Sequence, residues 1–353
     1  MRSEAVLVTG AGSVVGQGII KCLKLANANG GRVRYSIAAT DASPLAAGLY
    51  RGDAGFVVPM AGSRGYVSSI IRACRRAGAS AIFVGSDEEL LPLAKAKGRV
   101  EKETGAKVVV NPVDVLERCA DKWLTYVFLK GHGFPAPRSA VPEADEPFYD
   151  SVGFPVIVKP RVGHGSLGVT LARDRDEAKQ AVGRIDGAGG RAILQEYLGD
   201  DSGEFTTGVT VSSDGSSVMS SIAMRRTLKA GQTYKAFIDG FDKVRSSAEQ
   251  LALALGARGP LNVQARVEKG VPKVFEVNPR LSASCPMRGV AGVNEPDILF
   301  RNFVLGEDVS VREYQKLVSM RYWNEVYVRA STVARTGREG RFMGPDSAVL
   351  PYF

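Results

Sequence analysis

Histidine is scarce in this chain: 353 residues include only His132 and His164, alongside four cysteines and two tryptophans. A serine or cysteine hydrolase relay would have to use one of those two imidazoles, and neither has a suggestive neighbour. Cys22, Cys74, Cys119 and Cys285 are widely separated and form no Cys-x-x-Cys pair. They read as buried thiols in a reducing cytoplasm, not as a zinc site or a disulfide framework. Long apolar runs are also missing. Ala5-Val6-Leu7-Val8 is cut short by Gly10 and Gly12, which spoil both a membrane span and a secretory h-region. The expectation is a cytoplasmic protein with no membrane partner. The net charge of +9 is scattered in small groups such as Arg72/Arg75/Arg76, without a basic run carrying interleaved aromatics. Such a balance favours a small polyanionic ligand, and no nucleic-acid partner is expected.

What is present has the texture of two or three domains, as the length also suggests. Over the first third, short apolar segments at 5–9, 35–40, 56–58, 81–84 and 107–110 alternate with helical stretches at 16–25, 66–76 and 88–96. That alternation predicts an open parallel α/β sheet. Asn111-Pro112 punctuates the chain, and Asp114 to Lys130 reads as a helical connection. From Phe154 the pattern becomes α+β, with mostly antiparallel strands from Ala192 onward. The boundaries expected are 1–113, 114–190 and 191–353, the last including a poorly ordered or docked tail from Gly337 to Phe353.

Several motifs carry chemistry. Gly10-Ala11-Gly12-Ser13-Val14-Val15-Gly16 turns the first strand into the first helix, and Asp41 follows the second strand, where a dinucleotide fold places its ribose acid. The same glycines serve equally a tight strand-to-helix turn with no cofactor. Gly163-His164-Gly165-Ser166-Leu167-Gly168 lies between two strands and lacks the Gly-Lys-Ser/Thr ending of a P-loop. Its backbone N–H groups suit phosphates, and Lys159 enters it, although an unliganded hairpin reads the same way. In Phe275-Glu276-Val277-Asn278-Pro279-Arg280, alternation sends Glu276 and Asn278 to one face and Phe275 and Val277 to the other. The turn Glu268-Lys269-Gly270-Val271-Pro272 brings Gln264 to the face of Glu276. One carboxylate and two amide oxygens beside an arginine suit Mg²⁺ carrying nucleotide phosphate; the alternative is a solvated strand face.

In order, Asp121-Lys122-Trp123, Gly133-Phe134-Pro135-Ala136-Pro137, Phe154-Pro155-Val156-Ile157-Val158-Lys159-Pro160, the glycine loop, Gln195-Glu196-Tyr197-Leu198, Asn262-Val263-Gln264 and Glu276-Val277-Asn278-Pro279-Arg280 resemble the ATP-grasp superfamily. The similarity is strongest to the carbamoyl-phosphate synthase large-subunit family, over roughly residues 115 to 305. It implies a pre-ATP-grasp α/β domain at 1–113 that generally binds no NAD, a small subdomain with the glycine-rich loop at 114–190, and a large subdomain with the tail at 191–353. It implies ATP and two Mg²⁺ ions, for which Mn²⁺ can substitute. Lys122 and Lys159 would contact the phosphates under a cover formed by Gly163, His164, Gly165, Ser166, Leu167 and Gly168. Glu196, Tyr197 and Leu198 would hold adenine, Glu204 ribose, and Gln264, Glu276 and Asn278 the metals, with Arg280 facing the γ-phosphate. The family's large subunit carries two such halves and this sequence one. An arginine is usual where Lys122 stands, and the 224–234 loop does not match the family's substrate loop.

The function this implies is an ATP-dependent carboxylate–amine ligase acting through an acyl phosphate on small-molecule carboxylate and amine substrates, with a homodimer as a compatible assembly. Arg225, Arg226 and Lys229 are the residues expected to grip the carboxylate, against the reading of a basic hairpin tip in water. The alternatives are an enzyme that stops at carboxyphosphate or carbamoyl phosphate, and a nucleotide-binding regulatory protein without turnover.

Overall fold

The computed structural model describes residues 2–163, 165, 167–199, 203–322, 324–344 and 346–349; His164 and Ser166 of the glycine loop lie outside the described residues. Strands Arg2–Val8, Val33–Asp41, Ala54–Val57, Ala81–Phe83 and Lys107–Val109 form a parallel sheet, with Arg2–Val8 between Val33–Asp41 and Ala81–Phe83. Val6, Leu7 and Val8 are all fully buried because helices cover both faces. Val6 and Val8 pack with Ile19 and Leu23 of helix Val14–Ala28, while Leu7 packs with Ile70 of helix Tyr66–Ala77 on the other side. The sheet grows in opposite directions from Arg2–Val8, so the loops after that strand and after Ala81–Phe83 part at its carboxyl edge. Such a switch point leaves a crevice, and this one faces the second half of the molecule.

Gly10 makes the turn there at φ +54, where a Cβ would fall 2.7 Å from Glu89 Oε2. Gly12 N–H donates to Asp41 Oδ2 at 2.7 Å and Ser43 N–H to Oδ1 at 2.9 Å. The acid at the ribose position of a dinucleotide fold therefore holds its own turn.

Two antiparallel sheets follow. The smaller contains Ser139–Ala140, Ala192–Glu196, Val156–Pro160 and Thr170–Ala172 in that spatial order. The larger runs Val271–Asn278, Gly259–Glu268, Glu204–Val211, Val218–Lys229, Gln232–Ile238 and Leu317–Met320. The helix expected over Asp114 to Lys130 is two helices, Val113–Ala120 and Lys122–Gly131. Asp121 separates them with an extended backbone and caps the second, accepting from the Trp123 and Leu124 N–H groups while Arg161 grips its carboxylate at 2.6 Å.

The tail corrects the 191–353 boundary. Helix Ala330–Glu339 and strand Arg341–Met343 return to the first domain, where the strand pairs antiparallel with Ala54–Val57 and makes that sheet mixed. Phe342 is 3% exposed and meets Tyr50 edge to face at 5.0 Å. Periodicity misses this strand because its hydrophobic signal is only Phe342-Met343, set among arginines and glycines. Phe342→Ala should cost about 3 kcal/mol in urea unfolding of the N-terminal sheet, within the range for truncating a buried Phe; an unchanged midpoint would show that the tail is not part of that core.

Candidate active site

A cavity of about 650 Å³ lies between the crevice of the first sheet, the small sheet with its glycine loop, and the large sheet. Its polar floor comes from one hairpin. Pairing of Gly259–Glu268 with Val271–Asn278 sets Asn262 opposite Asn278 and Gln264 opposite Glu276, and all four line the cavity. The register then shifts between Gln264 and Ala265, so that Ala265 faces Val274 and Phe275 is the extra residue of a bulge. This overturns the expectation that Phe275 shares the apolar face of Val277. Val274 and Val277 are in the core, 1% and 2% exposed, whereas Phe275 lines the cavity with its ring 5.5 Å from Lys159 Nζ.

Lys159 is buried at the end of strand Val156–Pro160 and donates to Gln195 Oε1 at 2.9 Å; Gln195 in turn donates to Ser139 Oγ at 3.0 Å. Burial pushes the Lys159 ammonium down to about 8, while the Glu276 carboxylate pulls the other way. The motif resemblance implies no role for Gln195; its own position in the small sheet, facing Lys159, supplies one. Lys122 Nζ donates to Gly163 O at 2.7 Å, tying the loop to the first turn of helix Lys122–Gly131. Gly163, Gly165 and Leu167 line the cavity, whereas Gly168 packs against Pro160. Across the mouth, a Cβ on Gly231 would fall 2.4 Å from Gly165 O, so the loop rests on the hairpin tip of the large sheet.

Glu196, Tyr197 and Leu198 line one end, where Glu196 accepts from the Arg138 N–H at 3.0 Å and from Lys273 at 3.4 Å. Glu204 accepts from Arg226 Nη2 at 2.7 Å and Arg266 at 3.4 Å. Glu276 lines the cavity with no hydrogen-bond or ion-pair partner among the described residues.

The basic residues divide differently from expectation. Arg226 reaches the cavity, but its fork joins Glu204 to Gln264 Oε1, the latter at 2.8 Å. Arg225 lies over Phe237 at 5.1 Å and Lys229 over Tyr234 at 5.2 Å, and neither lines the cavity. Strand alternation sends Arg226 and Leu228 inward and their neighbours out; the irregularity at Thr227/Leu228 leaves its extra residue, Tyr234, on the partner strand. A grip on substrate carboxylate by Arg225 and Lys229 is not what this geometry offers. Arg280 does reach the cavity, held two-pronged by Asp87 at 2.6 and 3.0 Å and in contact with Asn278 Oδ1 at 3.3 Å. Asp87 opens helix Asp87–Lys95 of the first domain and has no signature in the sequence; 193 residues separate it from Arg280, and no local pattern links them.

Among the described residues no group of three His, Cys, Asp or Glu side chains could hold a metal ion. The donors present are a free carboxylate, Glu276, and the amide oxygens of Gln264 and Asn278. That set fits Mg²⁺, which takes few protein oxygens and completes its shell with water and phosphate; it would not suit zinc.

The α/β domain followed by two antiparallel sheets is an ATP-grasp fold. Residues 119–284 match the family model of the ATP-grasp domain and residues 6–109 that of the PylC-like N-terminal domain. The chain thus carries an ATP-grasp domain preceded by a PylC-like N-terminal domain. It is 28% identical over 211 residues to a carbamoyl phosphate synthase large chain of Thermus thermophilus, covering 55% of this chain but only 20% of that one. It is 32% identical over 136 residues to the glutamate–LysW ligase of Sulfurisphaera tokodaii, covering 31% and 48% respectively. The fold is shared with the biotin carboxylase domain of Hydrogenobacter thermophilus 2-oxoglutarate carboxylase, solved with MgADP and bicarbonate, at a TM-score of 0.67 and 17% identity over 96% of this chain and 76% of that one. No helix among the described residues is long and apolar enough to cross a membrane.

The electrostatics of Lys159 can be read without any ligand. In a ¹⁵N-lysine NMR titration, one Nζ should have a midpoint near 8 instead of above 10. Glu276→Gln should move that midpoint further down, because the lost carboxylate is what favours the charged ammonium. An upward or absent shift would contradict the assigned environment.

Proposed function

We propose that the chain is an ATP-dependent carboxylate–amine ligase that works through an acyl phosphate. The observation that carries this reading is the unpartnered Glu276 carboxylate, set by sheet register beside Gln264 and Asn278 and sharing one cavity with Lys159, the glycine loop and Arg280. A carboxylate does not react usefully with an amine because its leaving group would be oxide. In the reading proposed, a carboxylate oxygen attacks the γ-phosphorus of ATP, the bond to the bridging oxygen breaks, and ADP leaves. The amine then attacks the carbonyl carbon of the acyl phosphate, phosphate departs, and the nitrogen loses a proton.

The chain's own groups position the reactants and neutralise charge, with no side chain acylated. Glu196, Tyr197 and Leu198 would take adenine, Glu204 ribose, and Lys122 and Lys159 the phosphates under the loop containing Gly163, Gly165, Leu167 and Gly168. Gln264, Glu276 and Asn278 would hold Mg²⁺, which supplies charge neutralisation at the phosphate oxygens when bound. Arg280, immobilised by Asp87, would meet charge that develops on the transferring group. The carbamoyl phosphate synthase relative favours a second reading, an enzyme that halts at carboxyphosphate or carbamoyl phosphate.

With Mg-ATP and hydroxylamine as the trapping amine, one member of a panel of carboxylates should give a hydroxamate together with ADP. A phosphorylated or acylated side chain in the mass spectrum would contradict the mechanism. N-hydroxycarbamate formed with bicarbonate as the sole carboxylate would select the second reading.

Glu276→Ala and Arg280→Ala should each reduce turnover by ~10²-fold or more. Gln264→Ala should be milder, since water can replace a neutral carbonyl ligand on Mg²⁺. Normal turnover by folded Glu276→Ala at saturating Mg-ATP would remove the metal assignment.

A further inference from the structure

A set of linked polar contacts runs from the cavity wall into the core behind it. Arg288 and Glu295 form an ion pair at 2.9 Å that is fully buried, 0% and 1% exposed, beneath strand Glu204–Val211. Gly208 makes room for it: a Cβ there would lie 2.2 Å from Glu295 Oε1 and 2.5 Å from Arg288 Nε. Glu295 Oε1 and Arg288 Nη1 have no hydrogen-bond partner among the described residues. A buried pair satisfied this incompletely is a poor source of stability, because its desolvation offsets much of the attraction. Arg288 Nη2 also donates to Ser282 Oγ at 2.8 Å, and Ser282 lines the cavity two residues beyond Arg280.

Counting lone pairs gives these hydroxyls a direction. A hydroxyl has one hydrogen to donate and two lone pairs that accept. Ser282 Oγ accepts from Arg288 Nη2 and from the Ser284 N–H at 3.2 Å, so both lone pairs are occupied. Thr233 Oγ1 accepts from Arg226 Nη1 at 3.2 Å and from Ser284 Oγ at 3.0 Å, and is filled in the same way. Neither hydroxyl hydrogen has an acceptor among the described residues, and both side chains line the cavity, 6% and 3% exposed. Each is left as a pure donor, with a guanidinium on its acceptor side strengthening the donation.

We propose that Ser282 and Thr233 are the carboxylate-binding donors of this cavity, and that the buried Arg288–Glu295 pair is a positioning device that aims Ser282. This rests on the ligase reading and supplies what Arg225 and Lys229 do not. The two donors, both in contact with Ser284, supply one hydrogen bond for each oxygen of a carboxylate, and Ser282 follows Arg280 by two residues. A neutral amide or alcohol, which needs at least one acceptor from the protein to bind equally well, is disfavoured here.

The test uses the whole protein, Mg-ATP and hydroxylamine, with bicarbonate and the standard amino acids supplied one at a time as carboxylate probes. For whichever probe gives hydroxamate, Ser282→Ala and Thr233→Val should each raise its KM by about 10- to 100-fold, the range for a hydrogen bond to a charged group. The KM for ATP should stay constant in Ser282→Ala, whose hydroxyl touches no nucleotide residue, and Thr233→Ser should keep the wild-type carboxylate KM that Thr233→Val loses. The double substitution Arg288→Met with Glu295→Leu removes both buried charges together, so no lone ion is left to unfold the domain. It should raise the same KM, and adding Ser282→Ala to it should contribute little more, since the two act as one unit. An unchanged carboxylate KM in folded Ser282→Ala, or a parallel rise in the KM for ATP, would overturn the subsite alone. A wild-type protein that gives no hydroxamate with any probe would overturn the ligase reading, and the subsite with it.

Discussion

Strand Gly259–Glu268 pairs with Val271–Asn278 in one register, and the oxygen donors of the cavity take their places from it. A slip of one residue would turn Gln264, Glu276 and Asn278 into the core and bring valines to the surface. The register is enforced from the apolar side, where Val263, Val274 and Val277 are buried against helix Asp242–Ala254. The bulge after Gln264 lets both demands be met. It keeps Val274 and Val277 in the core, although they are three positions apart, and turns Phe275 over as an apolar platform below Lys159. A ring face beside a poorly solvated ammonium offers partial compensation where an acid would compete with phosphate.

Charge in the cavity follows one pattern. Lys159, Lys122, Arg226 and Arg280 converge on it, and all are held by neutral oxygens or by acids set to one side: Gln195 for Lys159, a loop carbonyl for Lys122, Glu204 for Arg226, Asp87 for Arg280. These contacts fix the cations without neutralising the centre, where Glu276 remains free. Two contacts also tie separate layers together. Asp87–Arg280 joins the first domain to the large sheet, and Gly165 against Gly231 joins the small sheet to it, so the cavity is closed by contacts that its own residues make.

Sequence patterns pick out many residues that the fold brings to one cavity and misplace side chains at two points. Lys122, Lys159, Glu196, Glu204, Gln264, Glu276, Asn278 and Arg280 all line the one cavity. Strict alternation misplaces Phe275 because a bulge inserts a residue that period two cannot represent. Arg225, Arg226 and Lys229 look like one patch along the chain, yet neighbouring side chains on a strand leave from opposite faces. Gln195 and Asp87 have no independent signal: each meets its partner, Lys159 or Arg280, on another element.

By itself the sequence determined whatever depends on neighbours along the chain. That includes the parallel α/β character of the first third, which follows from strand and helix periods; the glycine loop, which follows from φ values that only glycine adopts easily; and the oxygen donors at one strand end. Tertiary structure alone decided where the tail goes, which arginine enters the cavity, which acid immobilises Arg280, and which donors reach the hydroxyl oxygens of Ser282 and Thr233. Each of those depends on burial and pairing between residues on separate elements, many of them far apart in the chain. Such pairings leave no periodicity in a single sequence because they exist only once the layers have packed.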